Sequence, residues 1–316
     1  MMGAFAAVTA VLAGGVLGGL ALFTGLTARR VERALPPRGR FLEVEGHRLH
    51  YRDEGTGPAI VMIHGLGGQM AHFSHSLLPR LTDRFRVILV DRPGSGYSTR
   101  PAGAGANLRA QAAIIAGFIR ALGLERPLLV GHSLGGAVAL AVALEHPDCA
   151  GGLALIAPLT RRQPQVPDCF RGLVIKSPLA RWFLSWTLAT PMAIRQSERI
   201  MDTVFGPDKV PADFATAGGG LLGLRPGAFQ SASADLMASN ADLKWMAERY
   251  GGLTLPVAML YGRDDRVLDW RLHGDGLRAL LPAMELTLVE GGHMLPLTAP
   301  DSTVAWLSTV AGRRAD

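Results

Sequence analysis

The stretch Gly131-His132-Ser133-Leu134-Gly135-Gly136 follows a short apolar run, 128–130, and leads into a helix-like run, 134–144. The serine therefore sits on a strand-to-helix turn. A serine hydroxyl is a poor nucleophile and has to project, exposed, from a strained turn at the carboxyl end of its strand. Side chains two positions before and two after would collide with that turn, which accounts for Gly131 and Gly135. The helix that opens at Leu134 aims free backbone N–H groups and the positive end of its dipole at charge developing beside the serine. Ser133 is the candidate nucleophile.

On either side of this turn, strand-like and helix-like runs alternate. Residues 41–45 and 48–52, joined by Gly46-His47, read as a hairpin. Apolar runs at 59–63, 87–90, 128–130 and 153–156 end in His64-Gly65, Asp91, Gly131 and Ala157-Pro158. Short runs that are apolar at successive positions fit strands buried on both faces of a parallel sheet. Helical spacing appears at 108–122, with Ile114, Ile115, Phe118 and Leu122 apolar, and again at 134–144. The alternation lapses near Thr160 and resumes at Leu255. Strands are then expected at 257–261 and 286–289, and helices at 270–281 and 302–310. The pattern predicts a doubly wound α/β domain in two parts, 41–160 and 251–316, with a helical cap, 161–250, inserted between them.

The clearest cap element opens at Ser177-Pro178, an N-cap serine followed by proline at the first helical position. Leu179, Trp182, Phe183 and Trp186 then fall at i, i+3, i+4 and i+7, before Pro191 stops the run. This face is expected either to line an acyl pocket or to bury itself on the domain below.

Residues 1–28 contain no charged side chain, and about 20 apolar residues suffice to cross a bilayer as a helix. A cleaved signal peptide is the rival reading. No positive charge precedes the run, however, and the small-residue site at 19–21 would cut inside it. A single-pass membrane anchor is favoured. Arg29, Arg30 and Arg33 follow at once, so the positive-inside rule puts the catalytic domain on the cytoplasmic side, as for a bacterial inner-membrane protein. Residues 29–40, with Pro36-Pro37-Arg38-Gly39, read as a linker. The net charge of +6 is arginine-rich, with three lysines in all. No basic run appears outside the segment after residue 28, and no nucleic-acid-binding motif is present, so nucleic acid is set aside as a partner. Cys149 and Cys169 have no metal-type spacing and read as free thiols.

A nucleophile needs a base, and the base needs a group to orient it. Among the nine histidines, His293 lies in Glu290-Gly291-Gly292-His293-Met294-Leu295-Pro296, the loop directly after the last expected strand. That is the sheet edge from which Ser133 emerges. For the acid, Tyr261-Gly262-Arg263-Asp264-Asp265-Arg266-Val267 follows the preceding strand and leaves two candidates. Asp265, three residues past Gly262 and two before Val267, is preferred, with Asp264 a solvated neighbour that pairs with Arg263 or Arg266. The chain order Ser133…Asp265…His293 is the one expected of this arrangement. The oxyanion hole calls for two backbone N–H groups. These are assigned to Leu134 and, in His64-Gly65-Leu66-Gly67-Gly68, to Leu66. His64 is expected to brace that loop.

Ile63-His64-Gly65-Leu66-Gly67, Asp91-Arg92-Pro93-Gly94-Ser95-Gly96-Tyr97-Ser98, the Ser133 turn, the Asp265 turn and His293 occur in this order. In this combination the chain resembles the α/β-hydrolase superfamily over about residues 41–310. More narrowly, it resembles the single-cap branch of bacterial esterases, lipases, haloperoxidase-like and carbon–carbon bond hydrolases. The resemblance implies an eight-stranded, mostly parallel sheet whose second strand is antiparallel, with a structural role for Asp91. It also disfavours epoxide hydrolase and haloalkane dehalogenase activity, since those members carry an aspartate where this chain has Ser133. The expected reaction is cleavage of a carboxylic ester through an acyl-enzyme, with a lipophilic, monoacylglycerol-type ester as substrate and no metal or organic cofactor. The rival readings are a carbon–carbon or other non-ester hydrolase using the same residues, and a non-catalytic ligand-binding protein of this fold.

Overall fold

Five-residue runs such as Ala59–Ile63 and Leu128–His132 send alternate side chains to opposite faces. A run that is apolar throughout is stable only when both faces are covered. In the computed structural model, which describes residues 2–313, this is how they are used. Val61, Ile63, Leu129, Leu153 and Leu155 pack into one hydrophobic cluster, while Ile60, Met62, Leu128, Val130, Ala154 and Ile156 pack into a second on the other face. Met1, where the expected anchor begins, and residues 314–316, where the expected second core part ends, lie outside the described residues.

The strands are β1 (Arg40–Val44), β2 (His47–Glu54), β3 (Ala59–Ile63), β4 (Arg86–Val90), β5 (Leu128–His132), β6 (Gly152–Ile156), β7 (Val257–Gly262) and β8 (Glu285–Val289). They form one eight-stranded sheet in the order β1-β2-β4-β3-β5-β6-β7-β8. Only β2 runs against its neighbours; β3 to β8 are parallel. The turn joining β1 to β2 is at residues 45–46, one position before the expected Gly46-His47. Glu45 and Gly46 both take positive φ (48° and 78°), as the favoured two-residue hairpin turn demands. The chain leaves β3 toward β4 on one side and comes back to β5 on the other, which opens a crevice at the carboxyl ends of β3 and β5.

The longer helices are α1 (Met2–Ala34), α2 (Leu108–Ala121), α3 (Leu134–Glu145), α4 (Pro178–Trp186), α5 (Ala189–Arg195), α6 (Ser197–Phe205), α7 (Pro226–Ala247) and α8 (Pro300–Gly312). Helix α3 is apolar on every side and is buried from Leu134 to Ala143, as such a helix must be. The expected helix at 270–281 is instead a π-helical turn, Arg271–Asp275, running into a single α-turn, Gly276–Arg278. Wide turns of this kind disturb the regular helical ladder.

Two expectations need larger correction. Helix α1 does not stop at residue 28 but continues through the arginines to Ala34, so the connecting segment is shorter than 29–40. Arg29, Arg30, Glu32 and Arg33 are good helix formers, and Pro36-Pro37 is what ends the run. The second correction concerns α4. Ser177 caps it, accepting a hydrogen bond from the Ala180 N–H at 3.2 Å. Yet the apolar face of Leu179, Trp182, Phe183 and Trp186 neither lines a pocket over the serine nor packs on the domain: all four are exposed. The helix rests on α7 instead through other contacts, among them Ser185, whose Oγ accepts from Gln230 Nε2 at 2.8 Å.

Candidate active site

Four loops converge at the carboxyl edge of the parallel strands. They follow β3 (Leu66), β5 (Ser133), β7 (Asp265) and β8 (His293). The registers bring these strand ends level, with Ile63 opposite Gly131 and Gly262 opposite Val289.

Ser133 has φ 54° and ψ −121°, a strained backbone for a residue with a side chain. Close packing holds it there. A Cβ on Gly135 would lie 2.0 Å from the Ile63 carbonyl oxygen, and one on Gly131 would lie 2.5 Å from the Gly136 Cα. The Ser133 N–H donates to the Ile156 carbonyl at 3.0 Å, which ties the turn to the neighbouring strand β6. Leu134 is the first residue of α3, so its N–H has no partner within the helix. Leu66 lies in the turn after β3, across from the serine; a Cβ on Gly65 would come within 2.9 Å of the Ser133 Cβ.

His293 Nδ1 and Asp265 Oδ2 are 2.7 Å apart, and both side chains are buried. The other oxygen of Asp265 accepts the backbone N–H groups of Val267 at 2.8 Å and Leu268 at 2.9 Å. With four such bonds available to a carboxylate, its ionised form is well satisfied. Asp264 takes no part: its side chain is exposed, and it pairs with neither arginine, since Arg263 faces Glu290 and Arg266 faces Asp202. Its backbone N–H does donate to the Gly291 carbonyl at 3.1 Å, which helps to hold the histidine loop. Among the described residues Ser133 Oγ and His293 Nε2 are not hydrogen-bonded, and such bonds commonly tighten only with substrate in place.

Three further residues were not singled out for the site from sequence. His132, next to the candidate nucleophile in the chain, reaches the histidine loop. Its Nε2–H donates to the His293 carbonyl at 3.0 Å, with the two rings 4.8 Å apart. Burial, and then the nearby His293, hold the His132 pKa far below the ordinary 6.5, so it stays neutral. Asp208, reaching in from the segment after α6, accepts the Gly292 N–H at 2.9 Å. Arg92, fully buried, donates to the carbonyls of His64 (2.9 Å) and Gly65 (3.0 Å) and to Asp235 of α7 (2.6 Å). Its own N–H donates to His64 Nε2 at 2.9 Å, which leaves the His64 Nδ1–H to donate to Gly65. Burial and Arg92 together keep His64 neutral, in the bracing position. Asp91 likewise binds the chain itself: it accepts from the Met70 and Tyr97 N–H groups and meets His50 Nδ1 at 2.7 Å. Of these, His132, Arg92 and Asp91 lay in stretches with a sequence signal; nothing in the spacing points to Asp208.

Residues 58–300 match the profile of the α/β hydrolase fold. Over 120 residues the chain is 38% identical to haloalkane dehalogenase 2 of Mycobacterium tuberculosis, which is 38% of this chain and 42% of that protein. Over 123 residues it is 37% identical to 2-hydroxymuconate semialdehyde hydrolase of a Pseudomonas species, 38% of this chain and 44% of the other. The chain thus spans less than half the length of these curated relatives. Among solved structures, a bacterial membrane phospholipase A aligns over 100% of both chains at 24% identity, with a TM-score of 0.64.

Proposed function

The chain belongs to the α/β hydrolase fold family, and on that premise we propose that it is a serine hydrolase that cleaves carboxylic esters. Ser133 would be its nucleophile, His293 its base, Asp265 the orienting acid, and the Leu66 and Leu134 N–H groups its oxyanion hole. The observation that carries this reading is the buried 2.7 Å contact between Asp265 and His293 at the edge where Ser133 is held in a strained turn. Ionised Asp265 accepts the Nδ1 proton, so the Nε2 lone pair is left to face the serine.

His293 Nε2 takes the Ser133 Oγ proton as Oγ attacks the ester carbonyl. The resulting oxyanion lies between the two N–H groups, where charge gains more from fixed donors than from water. The intermediate collapses with cleavage of the carbon–oxygen bond to the leaving alcohol, which receives the proton from His293. Water then adds to the acyl-enzyme by the same path, releasing the acid and restoring the Ser133 hydroxyl. A serine at the nucleophile position sets this chain apart from the aspartate-based members of the fold.

The same reading takes α1 as a membrane anchor and the substrate as a lipophilic ester of monoacylglycerol type, with the domain on the cytoplasmic side. Within residues 11–34 the most apolar 18-residue stretch has a mean hydropathy of 1.8 and is 6% buried. In favour of a retained anchor over a cleaved leader, the last turns of α1 are part of the folded domain. Thr24, Ala28 and Val31 are buried, and the Leu35 carbonyl accepts from Tyr97.

The test is labelling of the full chain with a fluorophosphonate probe, read by peptide mass, beside Ser133→Ala and His293→Ala. Label on Ser133 that is abolished by the first substitution and cut by at least about 10³-fold in rate by the second is the expected result. A folded protein that never labels overturns the hydrolase reading and brings forward a ligand-binding role. Labelling without turnover of any ester in a chain-length series would favour a non-ester substrate.

A further inference from the structure

Among the described residues, 17 large hydrophobic side chains are exposed, and all but Val210 and Leu280 lie in two segments. Seven are on α1, from Phe5 to Leu26, where a membrane reading accounts for them. The other eight lie between Val174 and Ile194, on and around α4 and α5. A contiguous apolar surface of this kind is not left to water without a partner.

The two segments adjoin. Helix α1 touches both α4 and α5, and a Cβ on Gly25 would stand 3.8 Å from the Trp186 ring. Between them lies a cavity of about 600 Å³ with graded walls. On the α1 side Leu22 and Leu26 give way to Arg29 and Glu32; on the domain side Trp186 gives way to Arg225, which lies 3.6 Å from Glu32. Both walls therefore change from apolar to charged in the same direction, the direction in which a helix leaves a bilayer.

That direction sets the depth of the cap. The first charge on α1 is Arg29, four residues past Gly25, a rise of about 6 Å. Trp186, at the level of Gly25, thus sits about one turn inside the first charge, in the zone between headgroups and acyl chains that tryptophan favours. Trp182 lies one turn back along the same face of α4. The charge of the segment also matches a lipid surface. No acidic residue occurs from Cys169 to Ser197, whereas Arg171, Lys176, Arg181 and Arg195 are basic. Lys176 and Arg195 bracket α4 and α5, are exposed, and have no acidic partner among the described residues.

We propose that the outer face of α4 and α5 is a membrane-docking surface. It lies in the interfacial zone of the leaflet from which α1 emerges, with Trp182, Trp186, Leu179 and Phe183 against the acyl boundary and Lys176 and Arg195 among anionic headgroups. The cap is thereby laid on the bilayer rather than held above it by a free tether. This rests on the reading of α1 as a membrane anchor.

The test uses the full chain in vesicles of phosphatidylcholine and phosphatidylglycerol whose acyl chains carry bromine, a quencher of tryptophan fluorescence. Helix α1 contains no tryptophan, so quenching does not report the anchor itself. The expected result is quenching in the wild type at least about twofold greater than in Trp182→Phe/Trp186→Phe, in which Trp245, Trp270 and Trp306 remain. Protein that resists carbonate extraction but is quenched no more than the double variant would overturn the docking surface and leave the anchor standing. Protein released by carbonate would overturn the anchor and the docking surface with it. Absent quenching together with efficient disulfide cross-linking of Leu179→Cys, on a Cys169→Ser background, would assign the face to a second copy of the chain and overturn the proposal.

Discussion

Asp264 and Asp265 are adjacent and chemically identical, yet they are embedded in opposite ways. The side chain of Asp265 is buried, with one oxygen on His293 and the other on two backbone N–H groups; that of Asp264 faces solvent. Replacing Asp265 by Asn keeps the shape but removes the charge and lets the amide impose the wrong histidine tautomer. Ester turnover by Asp265→Asn is expected to fall by about 10³–10⁴-fold in kcat/KM, with Asp264→Asn within about threefold of wild type. Steady-state kinetics of the two variants, side by side, check this, and equal losses would contradict the assignment. The candidate nucleophile and base were legible in sequence because a strained turn and a glycine-flanked loop demand particular residues nearby in the chain. Asp208 and the backbone contact of His132 were not, since each acts on residues 84 and 161 positions away, respectively.

At the scale of elements, the connection that matters most is between the loop after β4 and the cap helix α7. Asp235 is fully buried, and it receives Arg92 at 2.6 Å and Arg100 at 2.5 Å. Arg92 in turn holds the carbonyls of His64 and Gly65, so the candidate oxyanion loop and the cap share one charged network. Breaking a buried pair from one side strands the partner charge. Asp235→Ala is expected to cost about 3–5 kcal/mol in denaturant unfolding, and Arg92→Met/Asp235→Leu to recover much of that loss. Additive losses in the double variant would show that the two side chains do not act as a pair. The exposed face of α4 makes the complementary point. Its period announced an amphipathic helix correctly, but a period has no way to say whether the apolar side meets a protein core or a lipid surface.

For the molecule as a whole, buried histidines weaken the fold toward acid. His273 is enclosed, its Nδ1 facing Thr160, and burial lowers its pKa from 6.5 to about 4. The folded pKa lies below the unfolded one, so the unfolded chain takes up a proton first as pH falls. Stability is untouched above about pH 6.5, declines between there and about pH 4, and is lower by about 3 kcal/mol at the end of that window from this residue alone. Urea midpoints of the detergent-solubilised protein across this range should slope downward toward acid, less steeply in His273→Asn. His132 and His64, also held neutral by burial, act in the same direction. The α/β layering, the strand runs, the strained serine turn and the apolar N-terminal helix were all determined by the sequence alone. Each is a local matter: which residues tolerate a backbone angle, and which face or length of chain must avoid water. Tertiary structure decided the rest: which aspartate meets His293, which cap residues steady its loop, where α1 ends against the domain and which way α4 faces. Those outcomes depend on groups far apart in the chain reaching hydrogen-bond distance, and no local spacing encodes the path by which the fold brings them together.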